Sequence, residues 1–270
     1  MSRYEAMFAR LDAAGEGAFI PFAMLGDPEP ATSRIVLEAL VAGGADALEL
    51  GIPFSDPVAD GPVIQAAAVR ALAAGVMPGD CWALVHDTRT AHPDLPIGLL
   101  VYANLVAHRG LEVFYREAAD AGVDSVLVAD LPVAESAPFS AAAQAAGIAP
   151  VFIAPPNAGD DRLAAVARSG RGYTYVVTRK GVTGTDAALQ RDSSELLTRL
   201  ATLGAPPAVL GFGIAHPEQV RHGLAMGARG VISGSAVVQR IAEHLDNPEA
   251  VRSSLEEFVH AMKAATRPGG

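Results

Sequence analysis

The chain has 270 residues, half of them hydrophobic, so it carries enough apolar material to bury a sizeable core. Its formal net charge of −10 argues against nucleic acid or an anionic membrane as the main partner. A single cysteine, Cys81, excludes an internal disulfide and fits a reducing compartment, so a cytoplasmic protein is expected.

Helical and β-type segments alternate along the chain. Residues 1–16 predict an amphipathic helix that carries acids, not a signal peptide. Eight mostly apolar runs bounded by Gly, Pro or Asp then predict parallel strands covered on both faces. These runs are 19–24, 45–50, 96–102, 125–129, 150–153, 173–178, 207–211 and 230–233. The longest nearly uncharged run, LPIGLLVYANLVA, is too short to span a bilayer.

The alternation predicts the fold class. Segments such as DPEPATSRIVLEALVAGG have turn residues before a helical pattern and glycines after it. Eight strands, each followed by a helical run, match a (β/α)8 barrel (TIM barrel) better than a doubly wound sheet. No Pro/Ser-rich linker or charge block divides the sequence. A single barrel domain over residues 1–270, with an extra N-terminal helix, is therefore expected.

Glycine-containing loops near the ends of the last strands predict a phosphate site. Gly213 follows the seventh predicted strand, and Gly234 with Ser235 follows the eighth and opens a helix. Barrels often bind phosphate there, with backbone N–H groups and a helix dipole. The unusually long segment 179–195 after the sixth strand contains Gly184 and reads as an active-site loop. The alternative is that these glycines only turn tight corners.

Carboxylates cluster in the stretch ALELGIPFSDPVADGPVIQAA. Glu49 lies between leucines at the end of the second strand, where it can point into the mouth of a barrel. Burial there would raise its pKa and make it a proton donor and acceptor near neutrality, although a buried structural pair with arginine is the alternative. Asp60 and its rival Asp56 lie in the stiff loop 53–61, and spacing does not choose between them.

Other kinds of chemistry receive less support. The histidines are scattered with no metal-ligand spacing, so no metal site is expected. No glycine-rich dinucleotide fingerprint opens the first βα unit. Lys180 lies just past the sixth strand, which leaves a Schiff-base aldolase as an alternative, although it falls in a loop where an amine is not desolvated.

The strands also supply apolar side chains that line the barrel interior, and most of these belong to the hydrophobic core. The residues on the strands or their ends are Phe22, Leu100, Tyr102, Leu127, Ala129, Ile153, Tyr175, Phe212 and Ile232. Three of them, Phe22, Tyr175 and Phe212, would suit a flat aromatic ligand near the barrel mouth.

The motifs together resemble one family along nearly the whole chain. LELGIPFSDPVADGPVIQ is similar to the signature of the tryptophan synthase alpha chain family. PFAMLGDP, YANLV, GVDSVLVADLPVAES, GRGYTYVVTRKGVTG, GFGIAHPEQV and ISGSAVV support the resemblance. The resemblance implies a (β/α)8 barrel that cleaves indole-3-glycerol phosphate to indole and glyceraldehyde 3-phosphate.

The resemblance also implies roles for individual residues. Glu49 and Asp60 match the two catalytic carboxylates, with Glu49 moving protons and Asp60 stabilising the indole N–H. The phosphate site corresponds to Gly184, Gly213, Gly234 and Ser235. The indole pocket corresponds to Phe22, Leu100, Tyr175, Phe212 and Ile232. The loops 53–60 and 179–187 correspond to mobile catalytic loops, in which Thr183 approaches Asp60 on closure.

Family members usually work with a pyridoxal-phosphate-dependent beta subunit in an alpha2beta2 complex, so no cofactor is expected in this chain. The resemblance places the docking face at Pro53, Asp56, Pro57, Asn104 and Pro132. The sequence departs from the family pattern at Met24, Lys180 and Ala215, which bears on ligand affinity or loop closure. A stand-alone indole-releasing lyase and a catalytically idle allosteric barrel remain as alternatives.

Overall fold

The computed structural model describes residues 1–177, 187–211 and 213–268, with side chains described from residue 193 in the second range. Eight parallel strands, β1 to β8, close into a barrel in which each strand pairs with the next and β8 pairs with β1. The strands are Ala18–Met24, Leu48–Gly51, Ile97–Val101, Ser125–Val128, Ala149–Ala154, Thr174–Val177, Ala208–Gly211 and Gly230–Ser233. The predicted (β/α)8 barrel is confirmed.

Helices surround the barrel. In chain order α1 to α12 are Arg3–Ala14, Pro30–Ala42, Pro62–Ala73, Pro78–Ala91, Ala103–His108, Leu111–Ala121, Ala137–Ala145, Asp160–Ser169, Ala187–Thr202, Pro217–Ala225, Ser235–Ala242 and Pro248–Ala264. A short 3-10 turn, Val133–Glu135, precedes α7. Among the described helices none is by itself long and apolar enough to cross a bilayer, although the bent pair α3 and α4 meets the test of length and composition.

The predicted N-terminal helix is present as α1, which closes the end of the barrel where the strands begin. The Ser2 hydroxyl accepts the Glu5 N–H, and Glu5 in turn accepts the Ser2 N–H, which forms a capping box. The buried face of α1 presents Tyr4, whose hydroxyl lies 3.0 Å from that of Ser125, the first residue of β4. The opposite end, where the strands finish, is left for the site loops.

The strand side chains divide into two apolar layers. Outward-facing residues such as Phe19, Leu48 and Leu50 pack under the helices in the larger cluster. Inward-facing residues such as Ile20, Phe22 and Ile232 fill the barrel together with the buried face of α1. Because successive strand residues point to opposite faces, Glu49 between two outward leucines must point into the barrel.

The predicted loop 179–195 is wrong in its second half, because α9 begins at Ala187. The segment AALQRDSSE has few apolar residues, which made it read as a loop. The helix gains its packing further on, where Leu196, Leu197 and Leu200 recur at helical spacing and are buried. The remainder of the predicted loop, 179–186, lies outside the described residues.

A buried ion pair fixes α3, the helix that follows the carboxylate loop. Arg70 donates from Nε and one terminal nitrogen to the two oxygens of Asp27, at 2.7 and 2.8 Å. Asp27 is fully buried in the turn after β1, and burial raises the pKa of its carboxyl against the opposing effect of Arg70. The pair therefore holds α3 against β1 at the end of the barrel that carries the site.

Candidate active site

Glu49 on β2 lies inside the barrel and is only 1% exposed. The Tyr173 hydroxyl donates to its Oε1 at 2.6 Å, while its Oε2 is buried and accepts no hydrogen bond. Burial raises the pKa of the Glu49 carboxyl to about 7, against the lowering effect of Tyr173. The group can therefore give and take a proton near neutral pH, with one oxygen free to meet a ligand.

The alternative to a functional role for Glu49 is a structural ion pair with an arginine. Its hydrogen-bond partner is instead a tyrosine, and its neighbours in register are Phe22 on β1 and Gly98 on β3. A buried carboxylate kept only for stability would have both oxygens satisfied. The free oxygen therefore favours a functional role.

Hydroxyl groups lie beneath Glu49, toward the closed end of the barrel. The rings of Tyr4 and Tyr173 pack with centroids 5.4 Å apart, and Tyr4 pairs with Ser125. Burial and the nearby Glu49 raise the pKa of Tyr173 well above its ordinary value, so this tyrosine stays a proton donor. Tyr173 was not predicted as a site residue, although the alternation Tyr173–Thr174–Tyr175 places both tyrosines on one face of a strand.

Asp60 lies in the loop between β2 and α3 and is partly buried. Burial raises the pKa of its carboxyl, while a hydrogen bond with the Tyr102 hydroxyl lowers it. The same Tyr102 oxygen accepts the Ala59 N–H at 3.1 Å. Asp56, the rival, is exposed and bonds its neighbour Ser55. The structure thus separates the two acids, and only Asp60 is held in a partly desolvated position.

Tyr175 on β6 is subject to the charges of both carboxyl groups. Its pKa is raised by burial and by the charges of both Glu49 and Asp60, which places both acids within electrostatic range of one ring. The charges of both acids therefore act on one side chain, that of Tyr175. The Tyr175 ring lies over Gly211 at the end of β7, where a Cβ would come within 2.1 Å of the ring.

Substituting Gly211 tests this packing. The Gly211→Ala variant should displace Tyr175 and lower kcat/KM for the reaction that the resemblance implies by about tenfold to a hundredfold, because a ligand against the ring loses its position. Steady-state kinetics with the substrate that the resemblance implies measure the effect. The control is Gly159→Ala, since Gly159 has φ −70° and no atom within 4 Å of an added Cβ. Equal losses in both variants would refute the packing argument.

The remaining pocket residues surround this region. The Phe22 ring approaches Gly51 on one side and Gly234 on the other, with its Cζ 2.8 Å from an added Cβ at Gly51. Ile232 is buried in the same interior cluster, and Leu100 packs against that cluster while partly buried. Met24, one departure from the family pattern, also reaches the end of β2 beside Gly51. Apolar side chains thus surround the end of β2, where Glu49 lies in register with Phe22.

The loops after β7 and β8 have the backbone expected of an anion site. Gly213 has φ +72°, and nothing lies within 4 Å of an added Cβ there. Gly234 is the N-cap of α11, with Ser235 as its first residue, and no side chain caps that N-terminus. The Ser233 hydroxyl ties the two loops by donating to the Ile214 carbonyl at 2.6 Å. Backbone N–H groups of α11 therefore remain available for a phosphate.

Several predicted residues lie outside the described part of the chain, namely Lys180, Thr183, Gly184 and Phe212. Of the predicted docking residues, Asp56, Asn104 and Pro132 are exposed, Pro57 is partly buried and Pro53 is buried. Ala215 is another departure from the family pattern. Its N–H donates to the Gln219 Oε1 at 2.6 Å. In the described ranges no group of three or more His, Cys, Asp or Glu residues is placed to hold a metal ion.

Barrels of this kind carry their chemistry at the ends of the strands, and the buried Glu49 carboxyl found there has a pKa raised to about 7. The fold and the site together define an enzyme of the (β/α)8-barrel class. Comparison with known proteins narrows the class to one family. The family model for "Tryptophan synthase alpha chain" matches residues 8–267.

Individual relatives agree with the family model. The tryptophan synthase alpha chain of Shewanella baltica is 57% identical over 264 residues, which cover 98% of this chain and 97% of the relative. The alpha subunit structure from Legionella pneumophila superimposes with a TM-score of 0.89 at 29% identity, covering 98% of both chains. A chain of the Pyrococcus furiosus tryptophan synthase a2b2 complex gives 0.83 at 35% identity, covering 92% of this chain and 98% of that one. The chain belongs to the tryptophan synthase alpha chain family, a family of indole-3-glycerol-phosphate lyases.

Proposed function

We propose that Glu49 and Asp60 perform the proton transfers of indole-3-glycerol-phosphate cleavage in this chain. The observation that carries the proposal is the buried Glu49 carboxyl, with a pKa of about 7 and one oxygen free inside the barrel. Asp60 supports the proposal, because its charge and that of Glu49 both raise the pKa of Tyr175. The Schiff-base alternative depends on Lys180, which is outside the described residues.

The chemistry needs only these two acids. Protonated Glu49 delivers its proton to C3 of the indole ring, and Asp60 stabilises the positive charge that develops on the ring N–H. The Glu49 carboxylate then takes the proton of the adjacent glycerol hydroxyl. As the aldehyde C=O forms, the C–C bond breaks and its electron pair returns to the ring. Indole and glyceraldehyde 3-phosphate leave, and Glu49 ends protonated as it began.

Phosphate recognition completes the proposed site. The substrate phosphate would meet the backbone N–H groups around Gly213, Gly234 and Ser235, supported by the positive end of the α11 dipole. Gly184, which lies outside the described residues, is proposed to form a further wall of the phosphate site. The indole ring would lie against the apolar side chains of Phe22, Leu100, Tyr175 and Ile232, with Phe212 proposed to join them.

Tyr173 is proposed to orient Glu49. The Tyr173→Phe variant should lower indole release several-fold at pH 7 and move the Glu49 titration to higher pH, because a bond that favours the carboxylate is lost. A pH profile of kcat/KM measures both effects. Tyr4→Phe is the matched control, since its hydroxyl pairs with Ser125 rather than Glu49. A profile that both variants move equally would contradict the assignment.

We infer that the chain, as one domain over residues 1–270, acts in the cytoplasm with a pyridoxal-phosphate-dependent beta subunit that receives the indole. The composition supports the location, and the family supports the partner. The docking face is proposed at the end of the barrel that carries Asp56, Asn104 and Pro132, with Pro53 and Pro57 in the same loop as Asp56.

The experiment that tests the function measures indole formed from indole-3-glycerol phosphate by the purified chain, alone and with a beta subunit. Indole release by the chain alone that rises with the beta subunit supports the partner-dependent enzyme. Equal release in both conditions would identify a stand-alone lyase. No release in either condition would favour the catalytically idle barrel.

A further inference from the structure

The proposed phosphate site is built from two separate loops. Gly213 belongs to the loop between β7 and α10, whereas Gly234 and Ser235 lie where β8 passes into α11. An anion held by backbone N–H groups of both loops needs them at one separation, because a hydrogen bond weakens steeply outside its normal length and angle. The affinity for phosphate therefore depends on how firmly the two loops are held at that separation.

The Ser233 side chain joins the two loops directly beside their phosphate-binding glycines. Its hydroxyl donates to the Ile214 carbonyl at 2.6 Å, and both residues are buried, Ser233 completely. Ile214 follows Gly213 in the chain and Ser233 precedes Gly234, so one hydrogen bond links the neighbours of both glycines. Loss of the hydroxyl would leave the Ile214 carbonyl without this partner away from solvent, which disfavours the present loop position.

Ser233 acts on a ligand only through the backbone. Ile232 faces the barrel interior, so the next residue of β8 faces outward beneath the helices. The Ile214 side chain beside it likewise belongs to the outer apolar cluster. A ligand in the barrel mouth therefore meets the loops that Ser233 holds and not its hydroxyl, which makes Ser233 a positioning residue.

A second side chain fixes the rest of the loop after β7. The Gln219 Oε1 accepts the Ala215 N–H at 2.6 Å and the His216 N–H at 3.0 Å. The Gln219 N–H in turn donates to the His216 carbonyl at 3.0 Å. Gln219 lies in the first turn of α10, and the helix is itself anchored, since the next residue, Val220, is fully buried. The three residues that follow the glycine of this loop are thus all fixed by side chains from elsewhere.

We propose that Ser233 and Gln219 set the spacing of the two phosphate-binding loops and so determine the affinity of the chain for the phosphate group of its substrate. The inference rests on the proposed function and assigns both residues a positioning part without contact to the ligand. The rest of the glycerol chain separates the phosphate from the bond that breaks, so the phosphate contributes equally to binding of the substrate and of the transition state. Loss of either side chain should therefore raise KM and leave kcat nearly unchanged.

Indole-release kinetics of the purified full-length chain measure the first consequence. Ser233→Ala should raise KM for indole-3-glycerol phosphate by about tenfold, with kcat within about threefold of the parent. Gln219→Met keeps the length of the side chain but loses the amide oxygen, and it should raise KM several-fold. Ser233→Cys keeps the size of the side chain and a weak donor, so its KM should fall between those of the parent and Ser233→Ala.

Two ligands separate phosphate affinity from the general shape of the site. Glycerol 3-phosphate carries the phosphate without the ring, and indole carries the ring without the phosphate. In calorimetric titrations Ser233→Ala should raise the Kd of glycerol 3-phosphate by about tenfold and leave that of indole unchanged. The matched control is Ser136→Ala, which removes a buried serine hydroxyl that donates to the Val133 carbonyl at 2.8 Å in the segment after β4. It should leave KM and both Kd values as in the parent.

The other outcomes each overturn the proposal or its premise. Unchanged KM and glycerol 3-phosphate affinity in Ser233→Ala and Gln219→Met would refute the positioning part, and so would a loss confined to kcat. Equal weakening of glycerol 3-phosphate and indole, or an equal effect of Ser136→Ala, would show general loosening of the fold instead. If the parent released no indole, the proposed function would fail, while the glycerol 3-phosphate titration would still decide whether Ser233 sets phosphate affinity.

Discussion

Replacing Glu49 by glutamine should lower kcat for indole release by about a thousandfold or more, because glutamine can neither deliver a proton to the indole ring nor take one from the glycerol hydroxyl. The substitution keeps the shape of the side chain and can still accept the Tyr173 hydroxyl, so KM should change little. Single-turnover kinetics with indole-3-glycerol phosphate measure the loss. Retained activity would mean that Glu49 does not carry the proton transfers of the reaction.

The same variant should show that the lost activity does not arise from unfolding. Between pH about 4.5 and about 7 the folded chain holds a proton on Glu49 that the unfolded chain has released. Buried Glu49 therefore makes the folded state less stable as the pH rises through this window, by up to about 3 kcal/mol. Glutamine does not titrate, so the variant lacks this loss.

Chemical denaturation at two pH values tests whether the stability of the parent falls relative to that of the variant as the pH rises. Relative to the parent, Glu49→Gln should gain about 2 to 3 kcal/mol in free energy of unfolding between pH 5 and pH 8. A variant with lower activity and higher relative stability at pH 8 is the pattern of a residue kept for function. A difference that does not change with pH would mean that Glu49 is charged at neutral pH in the folded chain.

The second large effect is expected at Asp60. The Asp60→Asn variant should lose about a hundredfold to a thousandfold in kcat, because the amide has no charge to stabilise the positive ring nitrogen. Steady-state indole release by the isolated chain measures it. The matched control is Asp56→Asn, which changes an exposed acid four residues earlier in the same loop and should leave the isolated chain fully active.

Comparison of the two variants also decides between Asp60 and Asp56, which their spacing in the sequence does not. If Asp56→Asn caused the larger loss in the isolated chain, the catalytic role would pass to Asp56. Should both variants stay active, charge on this loop would not take part in the chemistry. Only a loss confined to Asp60→Asn agrees with the partial burial that raises the pKa of that carboxyl.

Much of the fold could be predicted because parallel strands covered on both faces leave a strong apolar signal. The inward direction of Glu49 follows from the alternation of side chains along β2, so its placement needed no tertiary information. The second strand was predicted to begin at residue 45, but β2 starts at Leu48. Such ends depend on where pairing with the neighbouring strand begins, which the sequence does not record.

The contacts that define the site could be predicted less well, because they join residues distant in sequence. Tyr173 reaches Glu49 across 124 positions, and the Tyr102 hydroxyl that accepts the Ala59 N–H beside Asp60 comes from the end of another strand. The start of α9 was missed because its stabilising contacts come from Leu196, Leu197 and Leu200, after a polar first half. The sequence pattern of one segment does not show which distant residues will contact it in the fold.

The most direct test of the central claim is a crystal structure of the Asp60→Asn variant with indole-3-glycerol phosphate bound. We predict a Glu49 oxygen within about 3.5 Å of C3 of the ring and the residue 60 side-chain oxygen about 3 Å from the ring N–H. The phosphate should lie at the N-terminus of α11, beside Gly213 and Gly234. A ligand that meets only one of the two side chains, or that lies with its phosphate elsewhere, would contradict the account.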